Sequence, residues 1–436
     1  MQALKVSANN RFLMTEDGAP FFWLGDTAWE LFHKLSREEA ALYLESRAEQ
    51  GFNVIQAVGL AEVEGLTKGN AYGRKPLLHN EAGLNDPAQP DVSGDYSYWA
   101  HMDFIIDKAA ELGLYMALLP TWGDKINRMW GEGPVIFTPD NARVFGQWIG
   151  ARYRDRSNII WVLGGDRPLH TREHFEIIHG MAQGIKEGDG GEHLITFHPM
   201  GGQSSSQHVH EEDWLDFNMI QSGHGAGVRD NYTKVEADYA RTPIKPTLDG
   251  EPCYEDHPIG FNPALGYFDS ADVRTAAYYA VFAGAFGHTY GHHSIWSMTT
   301  EPKDYFIVTW KDALDRPAAN QMKHLKTLLL SKDFYSRVPS QELILDNYTG
   351  SNYIAATRGD GYALLYCPNG LPAQVNTTLL PEVQLQASWY NPRSGEHSSD
   401  WQVERKDSAE SGISFTPPSS GRGDDWVLVL EWSEER

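Results

Sequence analysis

Eight short apolar runs recur through roughly the first 300 residues, and their spacing constrains the fold more than any other feature of the chain. They are FFWLGDTAW (21–29), FNVIQAVG (52–59), LYMALLPTWG (114–123), NIIWVLGGD (158–166), LITFHPMGG (194–202), FNMIQSGHG (217–225), KPTLDGEP (245–252) and GHTYGHHSIW (287–296). A strand with no polar face must be covered on both sides, which is the mark of a parallel sheet. Amphipathic stretches at 36–51, 98–113, 142–155, 173–187 and 272–287 carry apolar residues at three- and four-residue spacing. The first has Ser36 and Glu39 as a capping box and Gly51 as its stop. Only the link from the fifth to the sixth run is too short for a full helix. Eight strand–helix units in this length predict a (β/α)8 barrel. The loop from Leu60 to Ser97 is too long for a simple connection and is expected to be a lid or a binding loop.

Past about residue 340 the texture changes. ELILDN, NYIAATRG, GYALLYCPNG, ASWYNP, WQVERKD, GISFTPP and DWVLVLEW are short, alternating and separated by turn residues. They predict an antiparallel β-sandwich. The expected fold class is therefore α/β: a (β/α)8 TIM barrel over 1–336, followed by a small antiparallel β-sandwich over 337–436.

Charge narrows the partners. The net charge of -23 repels phosphate backbones, and Lys and Arg form no dense run, so nucleic acid is not an expected partner. No apolar stretch has the length of a membrane span, and the opening MQALKVSANNRF lacks an apolar leader core, so the chain as it stands is expected in the cytoplasm unless a leader has been removed. Cys253 and Cys367 are far apart and are expected to be free thiols. The 14 Trp residues supply rings that a sugar-binding cleft uses as platforms, although core packing needs most of them in any large protein.

Barrel enzymes react at the carboxyl ends of their strands. There the fourth run delivers Asp166 and the seventh delivers Glu251. Two carboxyls facing each other across a barrel mouth can protonate a leaving oxygen and attack the sugar carbon from the other side. Asp166 is the candidate general acid and base, and Glu251 the candidate nucleophile. The competing reading of Asp166 is a helix cap, and that of Glu251 a salt-bridge partner. Gly164 and Gly165 are expected to let substrate approach the backbone. Asp26, Trp122, His198, His224, His292 and Trp296 also fall at strand ends and are candidate substrate-binding residues. The histidines raise the alternative of a metal-dependent hydrolase. Such barrels need a His-x-His on the first strand, where this chain has Gly25-Asp26-Thr27, so no metal is expected. A non-catalytic carbohydrate-binding protein is the third reading, and it would have no use for the carboxylate pair. No GxSxG, GxGxxG or Walker loop occurs, and no cofactor is expected.

Five separated segments, PFFWLGDTAW, GFNVIQ, NAYGRKPL, HMDFIIDKAAELGLYMALLPTWGD and ARYRDRSNIIWVLGGD, resemble in order the apiosidase-like glycoside hydrolases of family 140. The resemblance spans the whole chain. It implies a retaining glycosidase that releases apiose, a branched furanose, from plant glycosides or pectic side chains, with another glycoside specificity of the same barrel group as the alternative. It also implies an Asp after the fourth strand and a Glu after the seventh as the catalytic pair, here Asp166 and Glu251. Related enzymes carry Asn-Glu at the fourth strand, where this chain has Gly165-Asp166, one methylene shorter. Apiose in pectin is attached to anionic galacturonic acid. Lys68, Arg74, Lys125, Arg128 and Arg167, all in mouth loops, would have to converge to receive it; otherwise a neutral aglycone such as a flavonoid is expected.

Overall fold

A computed structural model describes residues 1–404 and 412–433. Eight parallel strands form the barrel: β1 Trp23–Thr27, β2 Val54–Leu60, β3 Tyr115–Thr121, β4 Ile159–Gly164, β5 Ile195–His198, β6 Asn218–Ile220, β7 Thr247–Asp249 and β8 Gly287–Tyr290. The ladder runs β5-β4-β3-β2-β1-β8-β7-β6. At the seam between β5 and β6, the Asp216 amide donates to the Ile195 carbonyl at 2.9 Å and the Thr196 hydroxyl to the Phe217 carbonyl at 2.6 Å. All residues of these strands are buried, as a sheet covered on both faces requires. Along β2, Val54 and Val58 belong to one apolar cluster, and Ile55 and Ala57 to another that includes the helices. That alternation is the period of two of a strand with a lining on each side.

The helices follow the sequence. Helix α1 (Arg37–Glu49) begins at Ser36 with the predicted capping box to Glu39. Helices α2 (Tyr98–Glu111), α3 (Pro139–Tyr153), α4 (Arg172–Asp189), α5 (Tyr232–Tyr239), α6 (Ser270–Phe282) and α7 (Pro317–Leu330) complete the outer layer. Between β5 and β6 there is only a 3-10 turn at Ser205–Gln207, matching the short link in the sequence. The long loop after β2 holds a two-stranded hairpin, Leu77–His79 with Asn85–Pro90. Among the described residues no helix is long and apolar enough to cross a membrane.

The C-terminal part is a β-sandwich of a six-stranded and a three-stranded antiparallel sheet. Its WQVERKD run forms a strand at Trp401–Gln402, and its positions 405–407 lie outside the described residues. The sandwich meets the barrel along α6. Arg274 makes a buried bidentate pair with Asp425 at 2.8 and 3.0 Å, and the Tyr278 and Tyr366 rings stack at 4.6 Å. The Tyr279 hydroxyl donates to the Tyr353 carbonyl. Arg337, 1% exposed, donates to the Val281 and Ala285 carbonyls at the end of α6. Removing one partner of such a buried pair leaves an uncompensated charge, at about 3–5 kcal/mol. A chain ending at residue 336 is therefore expected to aggregate or lose cooperative unfolding, because it bares Arg274 and the α6 rings together. Light scattering and thermal melts of the truncated chain check this; a soluble, fully active barrel would contradict it.

Candidate active site

The turn after β4 is built by close approach of neighbouring backbones. Gly164 and Gly165 have φ of 85° and 117°, which L side chains rarely adopt. A Cβ on Gly164 would lie 2.6 Å from the His198 carbonyl, and one on Gly165 would lie 2.8 Å from the Gly123 amide and 2.9 Å from the Trp122 ring. These glycines therefore make room for the chain's own β3 and β5 ends. The expectation that they make room for substrate is corrected, because protein already fills that space. Asp166 follows with φ 55°, an uncommon value for a residue with a side chain. It caps no helix, since α4 starts at Arg172 and is capped by Thr171.

Asp166 and Glu251 line one cleft of about 750 Å³, together with Trp29, Glu62, Trp122, Trp130, Gln221, His224, Tyr254, His257, Phe261 and Trp296. The two carboxyls have opposite surroundings. The Glu251 side chain is 7% exposed, with His198 Nε2 at 2.9 Å from Oε2 and His224 Nε2 at 3.3 Å from Oε1. The His198 approach is off the axis of a linear hydrogen bond, so it acts as a close electrostatic contact. Burial pushes the Glu251 carboxyl up, but the two imidazoles outweigh it and hold the group well below the usual carboxylate range. Asp166 goes the other way. Burial raises it first and the Glu251 charge raises it further, while Arg167, His198 and Trp130 pull it down without cancelling the rise.

His198 joins the two carboxyls. Its Nδ1 is 3.3 Å from the Asp166 amide and 3.0 Å from the Pro199 carbonyl. The neutral ring protonated on Nε2 accepts from the amide, and the imidazolium donates to the carbonyl. A ring protonated on Nε2 keeps that proton close to Glu251 Oε2. The Trp130 indole donates to Asp166 Oδ2 at 3.1 Å, and the Arg167 guanidinium donates to the same oxygen at 3.0 Å.

The predicted binding residues divide. Trp122, His224 and Trp296 line the cleft, and His198 stands behind Glu251. Asp26 and His292 do not reach the cleft, which corrects both expectations. Asp26 is fully buried and faces α1, where Oδ2 accepts from the Tyr43 hydroxyl at 2.6 Å and Arg47 Nε at 2.5 Å. Its position on β1 points it outward, because successive strand residues alternate between barrel interior and helix layer. His292 caps a short helix through Nδ1 and contacts Asp256 through Nε2 at 3.0 Å. Asp26→Ala is expected to cost about 3–5 kcal/mol, the penalty for leaving Arg47 buried and unpaired. KM is expected to stay unchanged. Denaturant titration and steady-state kinetics separate the two; a raised KM at normal stability would return Asp26 to the substrate site.

Sequence reasoning did not single out Glu62, Trp130, Gln221, Tyr254, His257 or Phe261. Glu62 is the residue of the long loop after β2 that reaches the cleft wall. The His224 and His257 rings stack at 4.1 Å, and burial with the neighbouring histidines lowers His257 to about 2, so that ring is neutral at any ordinary pH. The five cations of the mouth loops do not converge. Lys68 pairs with Glu64, Lys125 is buried against Asp124, Arg167 bridges Asp166 and Glu62, and Arg74 and Arg128 are exposed and outside the cleft wall. Cys253 and Cys367 are both buried and free, as expected.

Residues 7–336 match the family model of the apiosidase-like catalytic domain. The chain belongs to the apiosidase-like family. Residues 338–431 match the model of a collagen-binding domain of a collagenase. A solved structure of a glycoside hydrolase family 5 protein from Bacteroides vulgatus is 34% identical, covering 98% of this chain and 93% of its own, with a TM-score of 0.87. Another, described as a glycoside hydrolase, is 35% identical, covering 100% and 98%, with a TM-score of 0.88. An endo-β-1,4-mannanase from Thermotoga petrophila covers 95% and 92% at 14% identity and a TM-score of 0.51, a likeness of fold alone. The comparison with curated proteins found no match. Family and fold together place this apiosidase-like barrel among the glycoside hydrolases.

Proposed function

We propose that the protein is a retaining glycosidase that works by double displacement and releases apiose, with the barrel over 1–336 as its catalytic domain and the sandwich over 337–436 as its support. The observation that carries this reading is the contrast between two carboxyls in one cleft: Glu251, held ionised between two imidazoles, and Asp166, held towards its protonated form by burial and by Glu251. An ionised nucleophile beside a protonated acid is the starting state for double displacement. Glu251 attacks the anomeric carbon while Asp166 gives its proton to the departing oxygen. Asp166, now ionised, then takes a proton from the water that releases the sugar.

The cleft wall favours a neutral aglycone. Its ionisable carboxyls are Glu62, Asp166 and Glu251, with no Lys or Arg among the lining residues, so an anionic galacturonate would find no cation there and would meet the Glu251 charge. Trp130 and Phe261, 54% and 65% exposed, offer ring faces at the mouth.

The kcat/KM profile is expected to be a bell. Its acid limb reports protonation of Glu251 and falls below the ordinary glutamate value of about 4.3. Its alkaline limb reports loss of the Asp166 proton and falls above the ordinary aspartate value of about 3.9. An alkaline limb that persists unchanged in Asp166→Asn would remove Asp166 as the acid. The test of the function itself is release of free apiose from a flavonoid apioside, with the first anomer formed followed by NMR. Retention appears as the substrate's own anomer; the inverted anomer would overturn the mechanism. If no apiose is released, a panel of aryl furanosides and pyranosides tests the same carboxyl pair on other sugars.

A further inference from the structure

One large ring of the cleft stays open on the side where the departing group must sit. Trp130 stands in the loop after β3, 54% exposed, and its indole Nε1 donates to Asp166 Oδ2 at 3.1 Å. A general acid works within about 3 Å of the oxygen it protonates, so a ring bonded to that acid borders the leaving group. The other rings of the cleft are engaged elsewhere. Trp29 and Trp122 are buried, pack on each other at 5.0 Å and flank His198. The Trp296 indole is bonded to His293 Nδ1 at 3.3 Å. Phe261 is exposed but packs on His257 at 4.9 Å and His224 at 5.9 Å, beside the imidazole that contacts Glu251.

The two faces of Trp130 differ. Arg167 covers one, with its guanidinium carbon 4.5 Å from the ring centroid, and this cation is itself buried. The opposite face is open, which is why a ring with a guanidinium on it still has more than half of its surface exposed. The loop holds the ring in place before any ligand arrives. The Gly133 amide donates to Asp124 Oδ2 at 2.7 Å, and the Asn127 side chain donates to the Pro168 carbonyl at 3.1 Å. A Cβ on Gly131 would fall 2.5 Å from Arg167 Nη2, so the loop is seated directly on that side chain. A platform fixed in this way has little ordering entropy to lose on binding. The cation also selects among ligands. It draws ring electrons towards itself, so the open face is less negative than that of a free indole. A sugar meets a ring through partly positive C–H groups and needs the negative face. A flat phenol-type ring brings a negative face of its own and stacks better on a less negative partner.

We propose that Trp130 is the specificity-determining residue on the leaving-group side, and that the aglycone it selects is a planar, electron-rich aromatic ring and not a second sugar. This role rests on the reading of Asp166 as the acid, and it narrows the neutral aglycone to one chemical class. The aglycone ring lies on the open face of the indole while its glycosidic oxygen lies at Asp166. One side chain thus serves twice: its face holds the aglycone, and its Nε1 holds Oδ2 of the acid.

Benzyl and cyclohexylmethyl glycosides of the sugar that the enzyme releases carry leaving groups of similar size. Both groups need the acid's proton, and only the first is flat. The readout is the ratio of the two kcat/KM values in the full chain. That ratio is expected to fall by about 2- to 10-fold in Trp130→Leu, the worth of one aromatic pair. It is expected to hold in Trp130→Phe, which loses the bond to Asp166 but keeps a ring. Both variants lose absolute rate, so the ratio separates a platform from a residue that only supports the acid. A second readout needs no hydrolysis. It is the 15N–1H resonance of the Trp130 indole, assigned by its absence from Trp130→Phe, during titration with benzyl alcohol, cyclohexylmethanol or methyl glucoside. Benzyl alcohol is expected to move it at several-fold lower concentration than the other two. A wild-type ratio that survives in a folded Trp130→Leu protein, or methyl glucoside that moves the indole as readily as benzyl alcohol does, overturns the proposal and leaves the glycosidase reading standing. An indole that answers to benzyl alcohol in a protein that hydrolyses no glycoside supports the platform and overturns the glycosidase reading alone.

Discussion

Glu251→Gln is expected to abolish turnover, by about 10⁴-fold or more, while the protein stays folded. The amide is nearly isosteric, so the cleft keeps its shape, but it has no anionic oxygen to form the glycosyl–enzyme bond. The two imidazoles that face Glu251, at 2.9 and 3.3 Å, then point at a neutral group. Removing a buried anion between them also lowers the Asp166 titration, since the Glu251 charge is the second largest contribution that raises it. Thermal melts and steady-state rates on the same preparation test this. Turnover within a few-fold of wild type would leave Glu251 as a structural anion only. A Glu251→Ala variant supplied with azide gives an independent check. A small anion entering from the vacated side should form a glycosyl azide of inverted configuration, whereas a cleft that never used a protein nucleophile would form none.

Asp166→Asn is expected to lower kcat/KM by about 10²–10⁴-fold on a glycoside with a poor leaving group, the usual worth of a positioned acid. The loss should shrink on a nitrophenyl glycoside, because that group departs without a proton. The second step then becomes limiting, and the glycosyl–enzyme should accumulate as a burst followed by slow turnover. Added azide should relieve that slow step, giving a glycosyl azide of retained configuration, since it needs no base. The asparagine can still accept from Trp130 and Arg167 through its amide oxygen, so a collapse of the loop does not explain the loss. Equal losses on both leaving groups, with no burst, would show that Asp166 serves the structure of the mouth and not proton transfer.

Much of this protein is local in origin. The eight apolar runs coincide with the eight barrel strands because a strand covered on both faces is mostly apolar, and that leaves a near-continuous signal in the chain. The Ser36–Glu39 cap and the short link between β5 and β6 are likewise written within a few residues of where they act. Asp166 and Glu251 were legible as candidates because each directly ends a strand run, and strand ends meet at the barrel mouth.

What the chain alone could not decide is where a side chain faces and who its neighbours are. Asp26 and Glu251 follow similar apolar runs, yet Asp26 is turned to α1 and Arg47 while Glu251 is turned to the cleft. A single position along a strand reverses the face, and short runs do not mark that register. Glu62, Trp130 and Arg167 are separated by up to 105 residues and carry no common motif, but the closed barrel brings them to one oxygen of Asp166 or to the cation that holds it. The composition and strand rhythm determined a barrel with two carboxyls at its mouth. Only the tertiary structure decided which carboxyl is held charged and which towards its protonated form, because that depends on burial and on charges brought close from distant parts of the chain.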